Sequence, residues 1–268
     1  MRGLWLIARR SLRQHALATF ITVLSVALGV GLVMSVFTLS QASKDAFTGG
    51  DGGFHAVLGA RGSQTQLVLN TVFHLETSPG NIPWTMYQTV KDQPFVEAAI
   101  PYVVGDNYGG FRIVGTTPEL FDVFRAGGER ELRPRKGGRV FDPTLREAVI
   151  GHAVAVRTGL RVGAVFQPVH DIGAKGKVHD VDYTVVGILE QTGAPVDRVI
   201  WIPLEGAFRM EGHELRGTGR NYRPKTGVSI PEEHKEVSAV MLRLKDPAAG
   251  IMPVSYTHLR AHETERTI

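Results

Sequence analysis

The sequence predicts an α+β fold, in which one N-terminal transmembrane helix is followed by a mixed α/β domain with two lobes. An uncharged apolar run covers residues 16–40. Short β-branched runs then alternate with helix-like segments, as in a domain that combines a sheet with helices. The 268 residues are 43% hydrophobic and 21% charged, which is typical of a folded protein. The chain has no cysteine, which excludes disulfides, thiolate metal sites and cysteine nucleophiles.

The net charge of +4 arises in a short N-terminal segment. Arg2, Arg9, Arg10 and Arg13 precede the first acidic residue, Asp45, and the other 26 basic residues balance 26 acidic ones. This distribution argues against a nucleic-acid partner, which needs basic residues clustered on the folded part of a protein. Three of these arginines share one side of a helical wheel and the apolar residues share another. We therefore expect a basic interfacial helix within residues 1–15.

Residues 16–40, ALATFITVLSVALGVGLVMSVFTLS, predict a membrane span. As a helix they extend about 37 Å, against a hydrocarbon core of roughly 30 Å. A cleaved signal peptide, with an apolar region of about 7–15 residues, and a buried core helix are the alternatives. The preceding arginines predict a cytoplasmic N-terminus in contact with anionic lipid, with residues 41–253 on the extracytoplasmic side.

Small side chains recur along this predicted span. Ala18, Thr22, Ser25 and Gly29 follow one another at intervals of four, three and four residues, so they form one stripe on a helix. Such a stripe lets a second helix approach closely. The alternative is that it reflects only the abundance of small residues in membrane helices.

Apolar periodicity and β-branched residues indicate the elements of the following domain. Strands are predicted over residues 96–104, 111–115, 148–151, 181–190, 199–203 and 237–244. Helices are predicted over residues 84–91, 119–124, 152–158 and 204–210. Thr117 and Pro118 predict the cap and first turn of the second helix. The RPRKGG stretch, residues 133–138, is interpreted as an exposed loop at the junction of the two lobes.

No motif of a catalytic or nucleotide-binding site occurs, and we predict no catalytic, cofactor-binding or metal-binding residue. The sequence lacks GxxxxGK[ST], GxGxxG, GxSxG, SxxK and HExxH. Ser63 is interpreted as an ordinary turn residue. His258 and His262 have the spacing of metal ligands. However, the surrounding VSYTHLRAHET resembles a translated adapter tail that recurs at the ends of unrelated reading frames, so we interpret residues 254–268 as an artefactual tail.

Six short motifs follow one another along the domain: LGARGS, QLVLN, GNIP, GFRIVGT, EAVIGHAVAVRTGLRVG and YTVVGILEQTGAPVDR, all between residues 58 and 198. Together with the layout of the chain, their order resembles the first half of MacB/FtsX-type ABC transporter permeases. Family members often have Asp where this chain has Ala164, which alters a local turn contact. They also carry three further membrane helices after the domain, so the resemblance implies that this chain is truncated.

The resemblance implies a MacB-type periplasmic domain on a permease subunit of the bacterial inner membrane, without enzymatic activity of its own. It implies an ABC ATPase partner that binds ATP and magnesium, and a homodimer or paired permease in contact with lipid. Motion of the outer domain would then drive export or extraction of a lipoprotein, peptide or drug. Two alternatives are a single-span extracytoplasmic scaffold or adaptor, and a membrane-anchored extracytoplasmic enzyme.

Overall fold

The computed structural model describes residues 2–48, 52–75, 77–126, 130–170, 180–210 and 230–246. The chain forms two compact units, Met1–Phe47 and Thr48–Ile268. The predicted artefactual tail at residues 254–268, with His258 and His262, lies outside the described residues.

The first unit is helical. Helix α1 covers Arg2–Gln14 and helix α2 covers Ala16–Thr48. Backbone hydrogen bonds continue between them, from the His15 amide to the Ser11 carbonyl (3.0 Å) and from the Thr19 amide to the His15 carbonyl (2.9 Å). The helices predicted for residues 1–15 and 16–40 are therefore present. Within α2, Ala16–Gln41 is long and apolar enough to cross a membrane.

The second unit combines short helices with strands. Its helices are α3 (Gln64–Thr71), α4 (Trp84–Lys91), α5 (Glu119–Val123), α6 (His152–Thr158) and α7 (Leu204–Phe208). Its described strands are β1 (Ala56–Gly59), β2 (Ile82–Pro83), β3 (Val96–Tyr108), β4 (Phe111–Thr116), β5 (Arg125–Ala126), β6 (Arg130–Glu131), β7 (Glu147–Ile150), β8 (Val165–Phe166), β9 (Val169–His170), β10 (Tyr183–Ile188), β11 (Val199–Pro203), β12 (Glu236–Val237) and β13 (Ala239–Leu244). Two 3-10 turns, Pro195–Arg198 and Glu232–His234, complete the described elements.

One sheet runs through this unit in the order β1-β13-β3-β4-β11-β7-β10-β8, and β9 pairs with β3. The pairs β4/β11 and β7/β10 are parallel. Only residues 167 and 168 separate β8, on the edge of β10, from β9, on the edge of β3. This segment therefore bridges β10 to the second half of β3. Phe166 lies at the bridge, with ring centroids 5.1 Å from Tyr108 and 6.0 Å from Tyr183.

Both faces of the sheet are covered by hydrophobic residues. Alternate residues of β11 enter different clusters, Ile200 and Ile202 on one face and Trp201 on the other. Every residue of β11 is buried, as is typical of a strand covered on both faces. Residues of α4 and α7 join the cluster of Ile200, and residues of α5 join the cluster of Trp201.

The predicted mixed α/β fold class is confirmed, with a strand or helix at each of the ten predicted positions. The last predicted strand is divided at Ser238 into β12 and β13. Helix α5 begins at Glu119 with Pro118 in a helical conformation. Thr117 contributes its carbonyl, which accepts from the Leu120 amide (3.1 Å), and no side chain caps this helix.

The described residues show no division into two lobes, because nine strands, which include β1 and β13, join one sheet within one compact unit. The other described strands form two-stranded sheets, β2 with β12 and β5 with β6. This arrangement gives no support to a lobe junction at residues 133–138. The Arg135 amide donates to the Ile188 carbonyl (2.8 Å), and the Arg139 amide donates to the Val186 carbonyl (3.0 Å). The basic stretch, although largely exposed, thus lies along β10.

Candidate functional site

The arginines predicted to set the topology lie on α1. The side chains of Arg9, Arg10 and Arg13 are exposed. The Arg9 guanidinium lies 5.7 Å from the centroid of the Trp5 ring, one helical turn earlier. Basic groups beside an indole suit a helix at the membrane–water interface.

The predicted packing stripe, Ala18, Thr22, Ser25 and Gly29, lies on α2 and is exposed. The Thr22 hydroxyl donates to the Ala18 carbonyl at 2.9 Å, so this polar group is satisfied within the helix, as hydrocarbon surroundings require. A Cβ atom at Gly29 would meet no atom within 4 Å. The packing of another helix on this stripe stays a prediction.

Residues of several motifs form hydrogen bonds that stabilise the fold of the domain. Ser63, which we interpreted as a turn residue, is the N-cap of α3, because its Oγ accepts from the Gln66 amide at 3.3 Å. In the GNIP motif, Asn81 Oδ1 accepts from the Ser238 hydroxyl (3.0 Å). That hydroxyl accepts in turn from the Val104 amide (3.1 Å). These residues serve the fold rather than chemistry.

Two buried carboxylates also serve the fold. The Asp197 carboxylate accepts from the Thr192 amide (3.0 Å), the Thr192 hydroxyl (2.8 Å) and the Gly193 amide (2.9 Å). Glu147 accepts from both terminal nitrogens of Arg139 and from the Asp142 amide (2.9 Å). The hydrogen bonds from Arg139 lower the pKa of Glu147, although burial opposes this effect.

Asp106, Asp182 and Asp197 could act in acid–base chemistry only if the fold gathered them, and they are not gathered into one described site. Asp197 closes its own turn, and the exposed Asp182 accepts from Gln167 at 2.9 Å. Asp106 is buried in β3, while Asp171 lies outside the described ranges. Within those ranges, no group of three His, Asp or Glu side chains is placed to hold a metal ion.

Two adjoining clefts open beside β3 and β4, and Arg112 lines both. The smaller, of about 160 Å³, is lined by residues that include His74, Asn107, Arg112 and Arg198. The larger, of about 320 Å³, is lined by residues that include Ser78, Asn81, Asp106 and Arg112. The sequence motifs did not predict this polar concavity.

Strand pairing positions the polar groups of the clefts. Arg112 pairs with Asn107 of β3 on one side and with Val199 of β11 on the other. Arg198 directly precedes Val199, so the parallel β4/β11 pairing brings the two arginines to one cleft. Between Val104 and Asp106 the register of β3 shifts, which is a β-bulge of the kind often found beside functional sites.

His74 forms one wall of the smaller cleft. It is 9% exposed and has a φ of 55°, a backbone conformation that non-glycine residues seldom adopt. Its Nδ1 atom is buried with no hydrogen-bond partner among the described residues. Burial, and secondarily the charge of Arg112, lower the pKa of His74 from 6.5 to about 3. The imidazole is therefore neutral at neutral pH.

Arg112 was the signal in the sequence that could have pointed to this site. It is the one charged residue in the otherwise apolar GFRIVGT motif, on a strand that is buried throughout. Buried arginines need polar partners, and here Nη2 donates to the Leu75 carbonyl at 3.5 Å. The other lining residues carry no comparable signal.

Comparison with known proteins gives a family match over most of the chain. The family model of the MacB-like periplasmic core domain matches residues 19–250. Among solved structures, the chain is similar to the periplasmic region of MacB from Actinobacillus actinomycetemcomitans, at 12% identity over 77% of this chain and 84% of that chain, with a TM-score of 0.43. It is also similar to the extracellular domain of the noncanonic ABC-type transporter YknZ from Gram-positive bacteria, at 13% identity over 72% of this chain and 86% of that chain, with a TM-score of 0.39. No curated protein sequence matches the chain.

Proposed function

The chain belongs to the family of MacB-like periplasmic core domains, and we propose that it acts as a permease subunit of an ABC transporter. In this proposal a separate ATPase subunit holds ATP and magnesium, and its hydrolysis cycle moves the extracytoplasmic domain. The family match and the apolar helix α2 together indicate a transporter component whose extracytoplasmic domain is anchored in a membrane.

The extent of the family match carries this proposal. The matched region begins at residue 19, inside α2, and continues through the domain to residue 250. The family unit therefore includes most of the apolar helix as well as the sheet domain. A helix shared in this way supports a role in passing motion between the membrane and the domain, in addition to anchoring.

The proposed topology follows from α1. Its exposed arginines favour a cytoplasmic N-terminus in the bacterial inner membrane, where they contact anionic headgroups. The domain after α2 then lies in the periplasm or another extracytoplasmic space. The cargo class proposed here, a lipoprotein, peptide or drug, rests on the family resemblance alone.

The proposed contact for coupling is the stripe of Ala18, Thr22, Ser25 and Gly29. A neighbouring membrane helix, from a second copy or from a paired permease, would pack on this stripe. A displacement of that helix would then shift α2 between two arrangements.

A matched pair of glycine substitutions tests the coupling role. A Cβ atom at Gly29 or at Gly31 would meet open space, but only Gly29 lies on the stripe. We expect G29L to reduce co-purification with the second permease copy and the ATPase expressed from the same locus, while G31L does not. Equal recovery of partners with G29L and wild type would contradict the stripe as the coupling contact. Failure of the wild type to recover any ATPase would favour the scaffold alternative.

A further inference from the structure

Two arginines, Arg112 and Arg198, line the smaller cleft. Arg112 is 8% exposed and belongs to β4, whereas Arg198 is exposed and stands just before β11. The cleft volume of about 160 Å³ compares with roughly 30 Å³ for one water in the liquid, so a tetrahedral anion fits with a few waters.

The described residues that line this cleft carry positive charge and no carboxylate. Asp106 lines the larger cleft, which adjoins the smaller one at Arg112. The Asn107 amide adds a polar group and is itself held by donation to the Val169 carbonyl at 3.2 Å. A buried positive charge acts through a lower dielectric than water, so its attraction for an anion is strengthened there.

The conformation of His74 indicates that this side of the smaller cleft has a role beyond packing. A left-handed, nine-tenths-buried histidine with an unpartnered Nδ1 costs stability, since both the backbone conformation and the unsatisfied nitrogen are unfavourable. Unfavourable features of this kind tend to be retained at ligand sites, where the surrounding structure fixes the conformation of the residue.

We propose that the cleft formed by His74, Asn107, Arg112 and Arg198 binds a phosphate group, either as free inorganic phosphate or as the headgroup of a phospholipid. Arg112 on β4 and Arg198 just before β11 line the cleft from two separate segments of the chain, and each can donate from its guanidinium group. That arrangement suits a tetrahedral phosphate better than a planar carboxylate, which accepts hydrogen bonds mainly in one plane. The site does not depend on ATPase coupling.

The direct test titrates the full chain, purified in an uncharged detergent, with inorganic phosphate and separately with dihexanoyl phosphatidate below its micellar concentration. Isothermal calorimetry measures both affinities. Binding of both compounds means that the phosphate group itself is recognised. Binding of phosphatidate alone means that the source is a lipid headgroup. If neither compound binds at millimolar concentration, the proposal is wrong.

A matched pair of arginine substitutions locates the site. Arg198 and Arg161 are both exposed, but only Arg198 lines the cleft. We expect R198Q to weaken phosphate binding about 10-fold, as loss of one charge-assisted hydrogen bond predicts. R161Q should leave the affinity unchanged. Unaltered binding by R198Q, or an equal loss in both variants, would overturn the proposal. Because Arg198 is exposed, R198Q remains decisive if substitution of the buried Arg112 prevents folding.

Discussion

His74 packs edge-on against the indole of Trp201, with ring centroids 5.5 Å apart and planes at 86°. The imidazole comes from the loop after α3, and the indole from the central strand β11. The ionisable side chain of His74 thus packs against Trp201, which is fully buried in the core of the sheet. Because burial lowers the pKa of His74, we expect the stability of the domain to be sensitive to acid.

We predict that acid destabilises the domain through His74. The pKa of His74 falls from 6.5 to about 3 in the folded state, so between these values the unfolded chain binds the extra proton. Stability is therefore complete above about pH 6.5 and falls as the pH decreases toward 3. The expected loss is about 2 kcal/mol at pH 5. Urea unfolding of the full chain in uncharged detergent, at pH 8 and pH 5, measures it.

The variant H74N is the control for this pH dependence. Asparagine tolerates a positive φ better than most residues and does not titrate. In H74N, the difference in unfolding free energy between pH 8 and pH 5 should be smaller than in the wild type, by most of the about 2 kcal/mol expected for His74. An unchanged difference would show that another group titrates.

We predict that G151A destabilises the domain strongly. A Cβ atom at Gly151 would lie 2.3 Å from the backbone carbonyl oxygen of Asp197, which cannot rotate away. Forced backbone shifts of this kind cost about 1–3 kcal/mol. The comparison variant is G62A, because a Cβ atom at Gly62 would lie 3.2 Å from its nearest neighbour, the Cβ atom of Pro79. Urea midpoints should fall much further for G151A, and equal midpoints would contradict the close approach.

We predict that Glu147 contributes stability that disappears in acid. Hydrogen bonds from Arg139 lower its pKa, so its contribution is present above the ordinary carboxyl pKa and is lost as the pH falls through the folded value. At pH 7, E147Q should cost about 1 kcal/mol. The difference in unfolding free energy between E147Q and the wild type should disappear as the pH approaches the lowered pKa of Glu147. A difference that does not change with pH would mean that the ionised state of Glu147 is not the source of its contribution.

We predict that the α1 arginines determine orientation. The chain has no cysteine, so S11C or K136C would each provide a unique thiol. In intact cells an impermeant maleimide should label K136C and not S11C, since the N-terminus is expected to be cytoplasmic. Replacing Arg2, Arg9, Arg10 and Arg13 with asparagine should make S11C reactive in part of the population. The control variant replaces Arg157 and Arg161 with asparagine, and it should leave the labelling unchanged.

The predictable part of the fold consists of elements with strong local patterns. Residues 199–203, VIWIP, form β11 as predicted, because a strand buried on both faces reads as a continuous apolar run. The short helix α3 was missed. It depends on the Ser63 cap and on the packing of Leu67 against Gly59, where a Cβ atom would come within 2.3 Å of the leucine.

The cleft was not predictable, because its residues come from distant parts of the chain. His74, Arg112 and Arg198 are ordinary polar residues in their own neighbourhoods. Only the parallel pairing of β4 with β11 brings Arg112 beside Arg198, and only the turn after α3 places His74 over Trp201.

The amino-acid sequence by itself determined the apolar helix, the concentration of positive charge before it, the alternation of strands and helices, and the motifs that indicate the family. All of these depend on residues within a few positions of one another. The tertiary structure decided that one sheet runs through the domain, that residues 165–170 bridge β10 to β3, and that two arginines share a cleft. These features arise from hydrogen bonds between strands far apart in the chain, and local sequence patterns do not specify such pairings.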